Sequence, residues 1–182
     1  MSAYVQLAFD GPIARLTLTR SDKLNALDRA MIVALAEAAE KIEASKETRA
    51  AILSGEGKAF CAGGDIAAWG GLPALDMWRD WTRVGHRAFE ALARLRVPLI
   101  AALTGHAFGG GLELAAVADI RIAERGIRLG LPETGLAMAP GWSGTQRLVR
   151  RFGASAVRRM ALGGAMFTAE EALELGLVDE VV

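Results

Sequence analysis

Residues that ligate metals or form cross-links are scarce in this chain of 182 residues. It contains one cysteine and two histidines. An internal disulfide is therefore excluded, and a zinc site would have to rely on carboxylate ligands. We expect no metal, and a single cysteine is typical of proteins in a reducing compartment.

Net charge and long apolar runs are also missing. The 21 lysines and arginines balance 21 aspartates and glutamates, so charge gives no reason to expect a nucleic acid or an anionic membrane as a partner. No apolar run approaches the ~20 residues of a membrane span. The first ten residues, MSAYVQLAFD, lack the basic and apolar regions of a signal peptide. These features favour a cytoplasmic protein, and its length and 52% hydrophobic content predict one α/β domain over residues 1–182.

The first third of the chain predicts ββα units rather than a plain Rossmann alternation. Two strands, Tyr4–Phe9 and Ile13–Thr19, are joined by the hairpin signal Asp10-Gly11. Asp28 is a suitable N-cap for an amphipathic helix to about residue 43. A third strand, Arg49–Ser54, follows.

Helical patterns and one capping box mark the later part of the chain. A capping box, with Thr168 as the cap and Glu171 three residues later, begins the last predicted helix. The predicted helices are Asp76–Leu95, Thr145–Phe152, Ala154–Leu162 and Thr168–Leu175.

The central stretch, Val97–Ala123, predicts an anion-stabilising turn. An apolar strand, Val97–Leu103, leads through Gly109-Gly110-Gly111 into a helical run, and a further strand over Asp119–Ala123 closes the stretch. A helix that begins at such a turn presents free backbone N–H groups at its positive end. They can hold a phosphate, a carboxylate or the oxygen of a polarised thioester.

A second glycine turn, in KAFCAGGDI, repeats this arrangement. Apolar residues leave a strand, Gly63-Gly64 turn the chain, and Asp65 is placed to cap a short helix. One interpretation is a tight turn in which glycine is needed only for positive φ. The other is a second N–H donor that, beside Gly109–Gly111, completes a two-amide pocket for a carbonyl oxygen.

Two glutamates follow such turns, Glu113 after the three glycines and Glu133 after Leu131-Pro132. If the fold brings them together, they can divide the addition of water across a double bond, one activating the water and the other handling the proton. Burial and like charge would separate their pKa values. The alternative is that either one caps a helix or lies in solvent.

Other candidates are weaker. His106 precedes the glycine turn and is a possible proton carrier, although a turn histidine without a partner signal is more often structural. Cys61 lies at a donor-rich turn that is expected to lower a thiol pKa, but it has no evident His or Asn companion. His86 is assigned no role. The glycines match neither a P-loop nor the dinucleotide spacing.

Three motifs together resemble the crotonase (enoyl-CoA hydratase/isomerase) superfamily. PLIAALTGHAFGGGLELAAVADIRIA resembles its signature, KAFCAGGDI its first oxyanion-hole segment, and LPETGLAMAPGWSGTQRL its second-glutamate region. SDKLNAL is similar to the early loop that helps hold coenzyme A. The match runs from about residue 5 to the end of the chain.

The resemblance implies a crotonase-like spiral of ββα units, an acyl-CoA thioester substrate, and no metal or redox cofactor. It places the thioester oxygen between the N–H groups of Gly64 and Gly110, and it makes Glu113 and Glu133 the two catalytic carboxyls of a hydratase. Their joint presence favours hydration of a 2-enoyl-CoA, or the reverse dehydration. Carried over position by position, the coenzyme A contacts are Lys23, Ala26, Ala62, Gly64, Asp65, Ile66 and Gly110. A homotrimer or hexamer is expected if C-terminal helices are present.

Three departures from the family pattern keep alternatives open. Ala67 stands where hydratases often carry a lysine that reaches the coenzyme A phosphates. Trp142 replaces smaller residues, so it either shortens the acyl pocket or points to a decarboxylase or a specialised dehydratase. The sequence stops at Val182, before the helices that usually close the site and build the trimer. An isomerase, a decarboxylase and a non-catalytic acyl-CoA-binding module therefore remain as alternatives.

Overall fold

Ten strands form two sheets in the computed structural model, which describes residues 2–182. The strands are β1 (Val5–Asp10), β2 (Ile13–Leu18), β3 (Ala50–Gly55), β4 (Ala59–Cys61), β5 (Leu99–Leu103), β6 (His106–Phe108), β7 (Ile120–Ala123), β8 (Arg128–Gly130), β9 (Met166–Thr168) and β10 (Glu180–Val181). The larger sheet has the order β1-β2-β3-β5-β7-β10, and the smaller one β4-β6-β8-β9. Among the strands of residues 2–182, only the pairs β1/β2 and β8/β9 are antiparallel. The mixed α/β class predicted from the sequence is thus confirmed.

Helices connect the parallel strands and cover them. The α-helices are α1 (Arg29–Ala44), α2 (Ile66–Trp69), α3 (Ala74–Asp76), α4 (Arg83–Ala93), α5 (Gly110–Ala115), α6 (Val149–Phe152), α7 (Ala154–Ala161) and α8 (Ala169–Glu174). Turns of 3-10 helix cover Ser21–Lys23 and Pro132–Leu136, and π-helical turns cover Met77–Thr82 and Gly144–Leu148. None of the described helices is long and apolar enough to cross a bilayer.

Local sequence signals account for several element ends. The side chain of Asp28 accepts the backbone N–H of Met31 at 2.8 Å, as expected of the N-cap of α1. Thr168 and Glu171 form both hydrogen bonds of the predicted capping box, which begins α8. Gly11 turns the β1/β2 hairpin at a φ of +54°. These are short-range interactions, and the sequence predicts each of them correctly.

Two predicted elements are wrong in part. The chain does not pass directly from β5 into the three glycines, because the short strand β6 intervenes and pairs with β4 and β8. The predicted continuous helix over Asp76–Leu95 instead consists of α3, a π-helical turn and α4, which ends at Ala93. In both places long-range pairing and packing override the local pattern.

The smaller sheet carries the glycine turns toward one place. Strands β4 and β6 run parallel as neighbours, so the turns that follow each of them lie side by side. The first turn leads into α2 and the second into α5. Buried core residues lie next to both turns, among them Phe60 of β4 and Leu112 of α5.

Candidate active site

The two glycine turns present backbone amides to one cavity of about 180 Å³. A Cβ placed on Gly63 would lie 3.2 Å from the Gly110 nitrogen, and one on Gly110 would lie 3.5 Å from the Gly64 nitrogen. Within residues 2–182, neither the Gly64 nor the Gly110 N–H donates a hydrogen bond to the protein. Two free donors therefore converge on one space, as an oxygen that develops negative charge requires.

Glycine at position 109 has a steric reason. Its φ is +53°, and a Cβ there would lie only 2.9 Å from Glu133 Oε1. A side chain would strain the backbone and displace the carboxyl. The turn before α5 thus lets the backbone approach a carboxyl group and the cavity at once.

Glu113 is held rigidly at the cavity wall. It lies in the first turn of α5 and is 2% exposed. Its Oε1 accepts the backbone N–H groups of Trp142 at 2.7 Å and Gly144 at 2.6 Å. Burial raises the pKa of Glu113 to about 7; the N–H groups of this loop lower the value, and the nearby charge of Glu133 raises it. Both protonation states are accessible near neutral pH, which suits a group that exchanges protons.

Glu133 lies on the 3-10 turn after Pro132, and its side chain lines the same cavity. Burial raises the pKa of its carboxyl as well. Among the described residues, its buried Oε2 has no hydrogen-bond partner. The structure therefore brings the two predicted carboxyls and the two predicted amides to one cavity, and it leaves one carboxyl oxygen unoccupied.

The predicted coenzyme A residues divide into two groups. Four of them line the cavity, and three do not: the lining residues are Ala62, Gly64, Ile66 and Gly110, and the others are Lys23, Ala26 and Asp65. The early loop that carries Lys23 nevertheless runs beside the first glycine turn. Leu27 donates its N–H to the Gly63 carbonyl at 2.7 Å and accepts that of Asp65 at 2.8 Å.

Both carboxyl oxygens of Asp65 have partners within the protein. Its side chain accepts the N–H of Ala67, which confirms the predicted cap of α2, and it pairs with Arg20 at 2.8 Å. Lys23 is exposed at the end of its 3-10 turn. The carbonyl of Ala26 accepts a hydrogen bond from Arg20 at 2.9 Å.

The thiol prediction for Cys61 is wrong. Cys61 is fully buried, and its thiol donates to the carbonyl of Asn25 at 3.2 Å. Burial raises the pKa of this thiol to about 12, against the lowering expected from a donor-rich turn. His106 lies in β6, where its Nδ1 accepts the backbone N–H of Arg128, and it does not line the cavity. Neither residue is placed to act on a group in the cavity.

Sequence reasoning missed the support for Glu113. His86 Nδ1 lies 2.9 Å from the hydroxyl of Ser143, and Ser143 stands between the two residues whose N–H groups hold the carboxyl. Ser143 has a φ of +79°, an unfavourable conformation for a residue with a side chain. Burial lowers the pKa of His86, so its neutral form is favoured. The Gly- and Pro-rich composition of this loop was the only signal in the sequence that its backbone meets another group closely.

Comparisons with known proteins show the family of this chain. A family model described as enoyl-CoA hydratase/isomerase matches residues 8–182. The short-chain-enoyl-CoA hydratase of Clostridium acetobutylicum is 38% identical over 179 residues, which are 98% of this chain and 68% of the relative. The crotonyl-CoA hydratase of Syntrophomonas wolfei is 35% identical over 171 residues, 93% of this chain and 65% of the relative.

Solved structures match as well. A crystal structure of enoyl-CoA hydratase from Bacillus anthracis superposes with a TM-score of 0.93 at 35% identity, covering 98% of this chain and 70% of that one. The chain thus spans about two thirds of the length of these relatives. The crotonase-like fold predicted from the motifs is confirmed, and the chain belongs to the enoyl-CoA hydratase/isomerase family.

Proposed function

We propose that this protein hydrates a 2-enoyl-CoA to a 3-hydroxyacyl-CoA, or catalyses the reverse dehydration. The observation that carries the proposal is the convergence of two unpaired amides and two buried carboxyls on one cavity. Relatives named as hydratases of short-chain enoyl-CoA and crotonyl-CoA support it. The coenzyme A portion enters as part of the substrate.

The amides account for activation of the thioester. When water adds to the β-carbon of a conjugated thioester, electrons move onto the thioester oxygen. The N–H groups of Gly64 and Gly110 are oriented to stabilise this oxygen, and no reorganisation is needed at the moment of reaction. The enolate-like intermediate then takes a proton at the α-carbon.

The carboxyls account for the proton transfers. One carboxylate accepts a proton from the attacking water while the water oxygen bonds to the β-carbon, and the other carboxyl delivers a proton to the α-carbon. Glu113 has both protonation states accessible near pH 7, and Glu133 has an unpartnered oxygen that can hold the water. The proton taken from the water is then released to solvent, and the carboxyl that supplied the α-proton takes up another, so the enzyme is regenerated and the net change is the addition of one water.

Loss of the conjugated-thioester absorbance of crotonyl-CoA measures the reaction. We expect Glu113→Gln and Glu133→Gln each to lower kcat by about 10²–10⁴-fold. Glu174→Gln, at an exposed position on α8, is the control and should leave kcat unchanged. Turnover that needs Glu113 but survives Glu133→Gln would favour an isomerase, and stabilisation by coenzyme A without turnover would favour a binding module.

The remaining expectations are parts of the same proposal. We propose a cytoplasmic enzyme that assembles as a homotrimer or hexamer, with Lys23, Ala26 and Asp65 beside the coenzyme A portion. No group of three or more His, Cys, Asp or Glu side chains suited to a metal occurs within residues 2–182. The proposed steps use only carboxyls and amides, so dialysis against a chelator should leave activity intact. Light scattering of the purified protein tests the assembly.

A further inference from the structure

Three indoles form one wall of the cavity. Trp69 and Trp81 have ring centroids 6.5 Å apart, and Trp81 and Trp142 have theirs 5.3 Å apart. All three line the cavity, and Trp142 is only 3% exposed. Phe89, on α4, packs edge-on against Trp142, with ring centroids 5.3 Å apart. The inner indole is thus fixed between aromatic neighbours.

The benzo edge of Trp142 lies against the two glycines that carry the free amides. A Cβ on Gly110 would lie 2.6 Å from Cζ3 of this ring, and one on Gly64 would lie 3.5 Å from its Cη2. An acyl group whose carbonyl oxygen is held by both amides therefore extends into space that the indole borders. The ring is close to the reacting carbons rather than at a distant surface.

Helix α4 prevents the indole from moving back. The five-membered ring of Trp142 lies over the bare Cα of Gly85, closer than any side-chain methyl would allow. Its Nε1 is buried and has no hydrogen-bond partner among the described residues. Packing on Gly85, and not a hydrogen bond, therefore sets the position of the ring.

We propose that Trp142, seated on Gly85, is the residue that limits the length of the acyl group, so that the substrate is a short enoyl-CoA of the crotonyl type. This inference rests on the proposed function and names its substrate class. The cavity, at about 180 Å³, is smaller than the ~300–1,000 Å³ typical of sites for drug-sized ligands. A cavity of this size, bordered by the indole, suits a short acyl group.

Side-chain substitution separates this role from catalysis, because the backbone N–H of Trp142, not its ring, holds Glu113. The ratio of kcat/KM for 2-octenoyl-CoA to that for crotonyl-CoA is measured for the wild type, Trp142→Phe and Trp142→Ala. Since one methylene in an apolar pocket changes specificity by ~10–200-fold, both variants should raise the ratio by about 10-fold or more. Trp78→Ala is the control: this indole is 52% exposed and stacks on Arg83, and its loss should not change the ratio.

Gly85→Ala tests whether packing against Gly85 sets the position of the Trp142 ring. Alone, it should lower the melting temperature and crotonyl-CoA turnover, because the new methyl overlaps the indole. Combined with Trp142→Ala, it should be tolerated and should not lower the melting temperature further. If Gly85→Ala lowered the melting temperature equally in the wild type and in Trp142→Ala, Gly85 would not set the position of the ring.

Two results would overturn the length limit: a wild type that uses 2-octenoyl-CoA as efficiently as crotonyl-CoA, or an unchanged ratio in folded Trp142→Phe. Failure to turn over any enoyl-CoA would instead contradict the proposed function. In that case calorimetry with butanoyl-, hexanoyl- and octanoyl-CoA still tests the limit. Affinity that falls with length in the wild type and recovers in Trp142→Phe supports it, whereas equal affinities refute it.

Discussion

Replacing Glu113 with glutamine should change how stability depends on pH. Burial raises the pKa of this carboxyl from 4.5 to about 7, so the folded state binds the proton more tightly than the unfolded chain does. The resulting stabilisation is fully present below pH 4.5 and is lost as the pH rises through about 7. Glutamine has nearly the same shape, keeps an oxygen for the two N–H groups of the loop, and does not titrate.

The size of the effect follows from the shift. One pKa unit corresponds to about 1.4 kcal/mol, so between pH 5 and 8 the wild type should lose roughly 2–3 kcal/mol of unfolding free energy relative to Glu113→Gln. Urea unfolding followed by tryptophan fluorescence at several pH values measures this difference. Glu174→Gln should show no such divergence from the wild type. If the difference in unfolding free energy between wild type and Glu113→Gln changed by less than about 0.5 kcal/mol from pH 5 to 8, the Glu113 carboxyl would not be desolvated.

Other substitutions test the positioning of the site. Gly109→Ala should lower both kcat and stability, because its Cβ meets Glu133; Gly153→Ala, with a φ of +80° and open space, should lower stability alone by about 1–2 kcal/mol. His86→Ala should lower kcat and shift its pH profile with little change in KM, because the hydrogen bond to the Ser143 loop is lost. Thr168→Ala should cost about 1 kcal/mol in urea unfolding without changing kcat. Cys61 should resist thiol reagents until the protein unfolds, and rapid labelling of the folded protein would contradict its burial.

Much of the fold is predictable where the deciding interactions are short-range. The hairpin at Gly11, the cap at Asp28 and the capping box at Thr168 each depend on residues within a few positions of one another. The strand β6 was missed because its partners, β4 and β8, are distant in the sequence. The three residues of β6 are too few to give a periodic signal of their own.

The candidate site shows the same division. The glycine turns and the two glutamates were visible as motifs, and the structure brings them together at one cavity. The donors to Glu113 were not visible, since the nearer of them, Trp142, lies 29 residues further along the chain. The pKa of the Cys61 thiol was predicted wrongly for a related reason. The neighbouring turn suggested N–H donors that would lower this pKa, but the burial that raises it depends on packing of the whole core.

The loop from Trp142 to Gly144 connects two properties that might be expected to vary separately. Its amides lower the pKa of Glu113 against the larger effect of burial, and its indole lines the cavity. A redesign that moves the backbone of this segment to admit a bulkier thioester also shifts the donors to Glu113, whereas a change confined to the Trp142 side chain does not. Substrate range and the optimum pH of turnover should consequently change together in versions of this protein in which that backbone is moved.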